Sequence, residues 1–560
     1  MALAESAPRV RSRPDLWTLA ALVIAGLILA PLLAVGWMAF FPTENIWPHL
    51  ISSVLPGYVH NTVVLMLITG GGAAVIGTSA AWLVVMTEFP GRRVFDWALL
   101  APLAVPAYIG AYALVDFFEY AGPVQVMLRG FFGWTDARDY WFPEIRTIWS
   151  AGFVLTLSLY PYVYLLARAA FREQSVCALE VARSLGCGPW TTFFRVALPL
   201  ARPAVAAGVA IVAMETLNDF GAIDFFAVRT LTAGVFSVWL EGANSGGAAQ
   251  ISCVILGFVL VVLGLESAGR RGKRYHAMSR RYRPIERVRL RGGRAALAVL
   301  GCAAPVGFGF ILPITVIASL ALHHTEGWLE PAFWDALART IWLAATAAAV
   351  AVGAGLLLVF GARRSRGRAT KLIARATMIG YAAPGAVLAV GVLIPLAALD
   401  RRIHYAALDL FGVGPGLLLT GTAAAVIFAY VVRFNAIAYG ALDGAFGRVT
   451  PSMDMAARTL GETAGGALRR VHLPIISGSM MTAAMLIFVD AVKELPATLI
   501  LRPFNFSTLA THVYDFASRE HLAEAAPAAL AIVVVGMAPV AVLIRGLGVR
   551  RPGEQMGRAD

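Results

Sequence analysis

The chain has 560 residues, of which 59% are hydrophobic and 14% charged, with a mean hydropathy of +0.73; soluble globular chains carry about 25% charged residues, so this composition speaks against a soluble fold. The formal net charge is +13, but the basic residues flank apolar runs, which argues against nucleic-acid binding. The alternating ten-residue segments of an outer-membrane barrel are absent, which leaves helices, because these satisfy their own backbone groups in lipid.

Twelve runs reach the roughly 20 residues needed to cross a bilayer. They lie at about 16–40, 61–86, 95–118, 147–168, 203–222, 249–268, 295–322, 340–361, 374–398, 416–439, 477–500 and 524–547. The first run is long and lacks a small-residue cleavage site, so it is expected to be an anchor and not a removed signal peptide. Of 46 Lys and Arg, 35 fall in the two tails and in the loops after runs 2, 4, 6, 8 and 10. Nine fall in the alternate loops, and Arg433 and Lys493 lie within or near runs. The positive-inside rule makes the rich side cytoplasmic and places both termini there. Trp47, Trp141, Trp328 and Trp334 are then expected at the outer interface. Cys177, Cys187, Cys253 and Cys302 show no CxxC pairing; the first two fall on the reducing side, where a disulfide is disfavoured.

The loop after run 4 carries Glu180-Val181-Ala182-Arg183-Ser184-Leu185-Gly186, nine residues, then Val196-Ala197-Leu198-Pro199. A near copy lies 275 residues on: Met455-Ala456-Ala457-Arg458-Thr459-Leu460-Gly461, nine residues, then Val471-His472-Leu473-Pro474. Glycine allows a backbone turn without side-chain penalty, so each loop is expected to form two short helices broken at Gly186 or Gly461. Ala182 and Ala457 are small enough for a partner to approach closely. Pro199 and Pro474 are expected to stop the incoming segment and start the next span.

The duplication extends further. His60-Asn61-Thr62-Val63 is echoed by Ala338-Arg339-Thr340-Ile341, and Pro106 by Pro384, both at an offset of 278. Two halves are therefore expected, 1–268 and 295–560, with docking loops at 171–202 and 440–476. Six spans per half make the repeat parallel, so a path for substrate would run between the halves. The segment 269–294 holds eleven Lys and Arg against the single acid Glu286 and reads as a cytoplasmic linker that fixes orientation and meets anionic lipid. Pro106, Pro161, Pro384 and Pro496 are expected to kink their spans.

The doubled loop resembles the EAA-x3-G-x9-I-x-LP pattern of inner-membrane permeases of ATP-binding-cassette importers. Glu180, Ala182, Gly186, Leu198 and Pro199 carry it in the first copy, and Ala456, Ala457, Gly461, Leu473 and Pro474 in the second. Met455 stands where the second glutamate belongs, with Asp454 one place earlier. The resemblance implies an all-α membrane protein of about 12 helices in two parallel six-helix repeats. Its partners would be two cytoplasmic ATP-binding subunits docked on the loops and a periplasmic substrate-binding protein. The chain has no GxxxxGK[ST] phosphate loop, so ATP and Mg are expected on the partner ATPase, with no cofactor here and no enzymatic activity. Several stretches resemble the ferric-iron permeases with both halves fused. Among them are Pro102 to Tyr108, Tyr160 to Tyr164, Leu217 to Ala222, Lys493 to Thr498 and Leu501 to Phe506. Polyamine and thiamine permeases are similar, and an ion-coupled secondary transporter is the rival of a different class.

Independently of family, Glu215 and Asp219 in run 5 match Asp490 and Glu494 in run 11 at the offset of 275. Each pair sits on one helix face. Charges at a bilayer centre cost about 2.5–3.5 kcal/mol each on insertion scales, so these acids are expected to face the bundle interior. They form a candidate acidic lining that guides a cation such as Fe³⁺, extended by Asp116, Glu119 and Asp224. The alternative is structural pairing with Lys493, Arg229 or Arg502. No tightly bound metal is expected.

Overall fold

A computed structural model describes residues 15–174, 181–182, 184–270, 287–365 and 367–547. Glu180, Cys177 and most of the linker lie outside the described residues. The first half builds α1 (Leu16–Phe40), α2 (Leu55–Met86), α3 (Arg92–Ala98), α4 (Ala107–Phe118), α5 (Ile148–Glu173), α6 (Trp190–Asn218), α7 (Gly221–Phe225), α8 (Leu231–Phe236) and α9 (Ser245–Arg270). The second builds α10 (Gly293–His323), α11 (Pro331–Arg364), α12 (Arg368–Ala376), α13 (Gly385–Phe411), α14 (Ala423–Phe446), α15 (Pro451–Thr459), α16 (Ala464–Val492), α17 (Pro496–Leu501), α18 (Leu509–Ala517) and α19 (Leu522–Leu547). Among the described residues, ten helices are long and apolar enough to cross a membrane, and twelve crossings result if two bent pairs each count as one. The fold is an all-helical polytopic bundle.

Two bent pairs stand where spans were expected at 95–118 and 374–398, and they turn far more sharply than the kinks expected at Pro106 and Pro384. Segment Arg92–Ala104 meets Ala107–Phe132 at 94°, and Arg368–Ala382 meets Gly385–Phe411 at 115°. Each break falls at a proline, Pro106 or Pro384. Proline lacks the N–H that would continue the ladder, and it pushes the preceding residue out of the helical region. Val105 (ψ 115°) and Ala383 (ψ 126°) are accordingly extended.

Pro199 and Pro474 behave differently from expectation. They do not stop a helix: α6 and α16 run through them for 29 residues each. Immediately before each Leu-Pro pair the helix widens into a π turn, Phe193–Ala197 and Leu468–His472. The wider turn makes room for the proline ring and shifts the hydrogen-bond register past its missing donor. Leu312-Pro313 in α10 follows a π turn too, Gly307–Ile311.

Hydrogen bonds mark the repeat. Leu231 N donates to Thr62 Oγ1 (3.0 Å) and Leu509 N to Thr340 Oγ1 (2.8 Å). Thr230 and Thr508 cap α8 and α18 with their side chains. These pairs are 278 residues apart, whereas the π turns are 275 apart, so the second half regains three residues between α17 and α18.

The halves also exchange their first helices. One apolar cluster joins Ala21, Ala25 and Ile28 of α1 to Leu358, Val359 and Phe360 of α11. Gly361 and Gly391 let α1 approach so closely that a Cβ at either would collide with the carbonyl oxygens of Trp17 and Pro31. Arg364 Nε meets Asp15 Oδ2 at 2.6 Å. In return, Ala298, Cys302 and Val306 of α10 pack with Tyr160, Val163 and Tyr164 of α5. After the linker, Val288 and Arg289 pair as a two-residue parallel strand with Thr87 and Glu88 at the end of α2.

Candidate translocation path and docking loops

The two loops share a backbone design. Gly186 (φ +78°) and Gly461 (φ +82°) are left-handed, a conformation that costs other residues about 1–2 kcal/mol. Cys187 N donates to the Ala182 carbonyl and Glu462 N to that of Ala457, both at 3.0 Å, closing each turn. Ala182 and Ala457 are buried. They let the loop pack inward, where partner approach was expected. The outward side chains are Val181, Leu185 and Trp190 in the first loop and Met455 and Leu460 in the second, with Leu185 77% and Leu460 84% exposed. Ala456 and the prolines Pro199 and Pro474 are exposed beside them, and Leu198 and Leu473 are half-buried. Large apolar groups exposed at one end of a bundle mark a surface that another protein covers.

One contact is confined to the second loop. His472 is buried against the rings of Phe360 and Phe446, and its Nε2 meets Asp454 Oδ1 at 2.6 Å. Asp454, the docking-loop acid one place before the missing glutamate, is tied back to α16. At the offset of 275 the histidine's place in the first half is taken by Ala197.

Between the halves lies a cavity of about 110 Å³, bounded by the breaks at Pro106, Asp219 and Glu494. All four acids of the repeat, Glu215, Asp219, Asp490 and Glu494, line it, and so do Arg433 and Lys493. Sequence reasoning set a cation lining against structural pairing with Lys493, Arg229 or Arg502; of these three bases Lys493 pairs with one of the four acids, Arg502 pairs elsewhere, and Arg433 supplies the second pair. Glu494 and Arg433 form a buried pair at 2.9 Å, their side chains 5% and 6% exposed. Lys493, adjacent to Glu494 in sequence, turns to Asp490 at 3.0 Å. Glu215 accepts from the Tyr381 hydroxyl (3.1 Å). Asp219 Oδ1 accepts from Ala222 N and Ile223 N (3.0 and 3.2 Å), and Glu494 Oε1 from Ala497 N (3.2 Å). The two equivalent acids thus cap the short helices α7 and α17. Asn218 Oδ1 accepts from Gly385 N (2.9 Å), which joins the first half to the start of α13.

Asp116 and Glu119 stand apart from this cavity. Glu119 pairs with Arg146 (3.2 Å), which also reaches Glu520 (3.0 Å). Arg502 pairs with Asp515 (2.8 Å), and Asp224 accepts from the Tyr514 hydroxyl (2.8 Å). Among the described residues no three His, Cys, Asp or Glu converge as metal ligands. The roles of Arg433, Asn218, Tyr381 and His472 escape sequence reasoning. A lone arginine in an apolar run is the one signal that points to a buried partner.

A many-spanning bundle with a charged waist and a twice-used, apolar-tipped loop is the build of a transporter driven from outside its own chain. Residues 73–267 match the family described as "binding-protein-dependent transport system inner membrane component". The chain is similar to inner-membrane permeases of the ATP-binding-cassette importer class, which are transport subunits. Its likeness to individual proteins spans both halves. It is 26% identical over 494 residues to the Fe(3+)-transport system permease protein FbpB 2 of Haemophilus influenzae, covering 86% of this chain and 88% of that one. To the ferric transport system permease protein FbpB of Actinobacillus pleuropneumoniae it is 21% identical over 517 residues, 86% of this chain and 70% of that one. The molybdenum transport system permease protein ModB of Escherichia coli matches 33% of this chain at 28% identity, over 81% of its own length.

Proposed function

We propose that this chain forms the path by which ferric iron enters the cytoplasm, received from a substrate-binding protein and driven by two ATPase subunits. The observation that carries the cargo reading is the charge balance of the cavity: four carboxylates against Arg433 and Lys493. A surplus of hard oxygen anions suits a hard cation and disfavours an oxyanion. The permeases named for ferric transport, alike over most of the chain, support the same reading.

The ATPases dock on the loops around Gly186 and Gly461, helix in groove, through the exposed Leu185, Trp190, Met455 and Leu460. Basic residues concentrate at this end, which is the cytoplasmic one under the positive-inside rule, with both termini beside it. The binding protein docks at the opposite end. ATP-driven closure of the two ATPases moves the loops and opens the waist alternately to each side. The His472–Asp454 contact, confined to the second loop, makes the two ATPase interfaces unequal.

The deciding experiment is a ligand screen of the binding protein that works with this permease, followed by uptake in proteoliposomes. Ferric binding with vanadate-sensitive uptake is expected. Binding of a polyamine or thiamine instead overturns the cargo. Uptake driven by an ion gradient without ATP overturns the importer cycle in favour of secondary transport.

A further inference from the structure

The two halves supply equivalent acids to the cavity but unequal surroundings for them. Both basic residues belong to the second half: at the offset of 275, Arg433 corresponds to Ser158 and Lys493 to Asn218. The second half's acids are therefore neutralised in place by ion pairs at 2.9 and 3.0 Å, whereas Glu215 and Asp219 are held by a hydroxyl and by backbone N–H groups.

A second asymmetry is independent of charge. Tyr108 and Tyr112, one turn apart on a face of α4, are 4% and 1% exposed, and neither hydroxyl has a hydrogen-bond partner. Tyr108 lines the cavity beside Asp219 and Glu494. The two rings lie 5.9 Å apart, and Tyr112 packs against Phe225 of α7 at 4.5 Å. Asp224 is exposed, and at the start of the same short helix Tyr108 packs on Gly221. Buried hydroxyls without partners are rare in folded cores and mark places that serve water, an ion or a ligand. Packing alone does not demand them here. At the offset of 278 the second half places Ala386 and Val390, both fully buried.

We propose that the cation crosses along the first half alone, with the Tyr108 and Tyr112 hydroxyls as oxygen donors between Asp224 and Asp219. The second half acts as a neutral wall. This reading rests on the proposed transport of a cation but not on which cation it is.

The test reconstitutes the permease with its ATPase and binding protein and measures uptake of radiolabelled ferric iron, and in parallel of spermidine, per ATP hydrolysed. Tyr108→Phe with Tyr112→Phe keeps both rings and removes both hydroxyls. Uptake per ATP is expected to fall by about ten-fold, the scale of losing an oxygen contact to a charge in a barrier, while ATP hydrolysis continues and thermal stability does not fall. Uptake per ATP equal to wild type for whichever cation moves overturns the proposal. So does a parallel loss of thermal stability, which assigns the hydroxyls to structure. Wild-type uptake of spermidine but not iron overturns the ferric reading alone, and uptake of neither overturns both.

Discussion

Arg433 shows why single residues at the waist carry more than their own charge. It is buried with Glu494, and a Cβ on Gly385 would press on both groups. Breaking a buried pair by removing one partner costs about 3–5 kcal/mol, because the other charge is left unpaired in a dry site. Arg433→Leu is expected to lower the thermal unfolding midpoint of the purified permease sharply, and adding Glu494→Leu to restore most of it. A single variant as stable as wild type would show that water reaches Glu494. The glycines at the loops work through backbone geometry. Gly461→Val or Gly186→Val forces a branched side chain into a left-handed turn at a cost of about 1–2 kcal/mol. Cargo moved per ATP is expected to drop in reconstituted transporters, and unchanged coupling would remove these turns from the drive train. The acids and glycines could be read from the sequence because the repeat names them twice. The partners of Arg433 and Lys493 could not, since Glu494 lies 61 residues from Arg433 and sits next to the wrong base.

Helices in this bundle break at some prolines and widen ahead of others. Pro106 and Pro384 sit in the middle of a crossing and break it by 94° and 115°. Pro199, Pro313 and Pro474 follow π turns and leave their helices continuous. Hydropathy windows sum apolar residues without regard to direction, so the prolines in runs 95–118 and 374–398 announced a kink but not the size of the turn. The breaks leave helix starts that need acceptors, and the waist polar groups meet that need: Asn218 serves α13, Asp219 serves α7 and Glu494 serves α17. Asn218→Ala removes a cap worth about 0.5–2 kcal/mol. Faster hydrogen exchange at the first turn of α13 is expected, while exchange in α5 stays unchanged. If the start of α13 stays equally protected, Asn218 is not what orders it.

At the scale of the whole molecule, exchange of α1 and α10 ties the halves together. Each half carries an apolar surface that the other half's first helix covers, as Ala21 and Ala25 do on Leu358 and Val359. Halves expressed as separate chains divided within 269–294 are therefore expected to co-purify from membranes, and independent monomers would contradict the exchange. The linker then serves to set orientation and local concentration. Composition, apolar run length and the 275- and 278-residue offsets were enough to determine the helical class, the internal repeat, the paired acids and the repeated loop. These are periodic or additive properties of a chain that must hide its backbone from lipid and reuse one module. The tertiary structure decided which acid meets which base, where the spans break, that the first helices cross over, and that one half carries buried phenols without partners near the cavity. Those outcomes depend on distances between residues far apart in the chain, and the pseudo-symmetry that reveals the repeat says nothing about how its two copies came to differ.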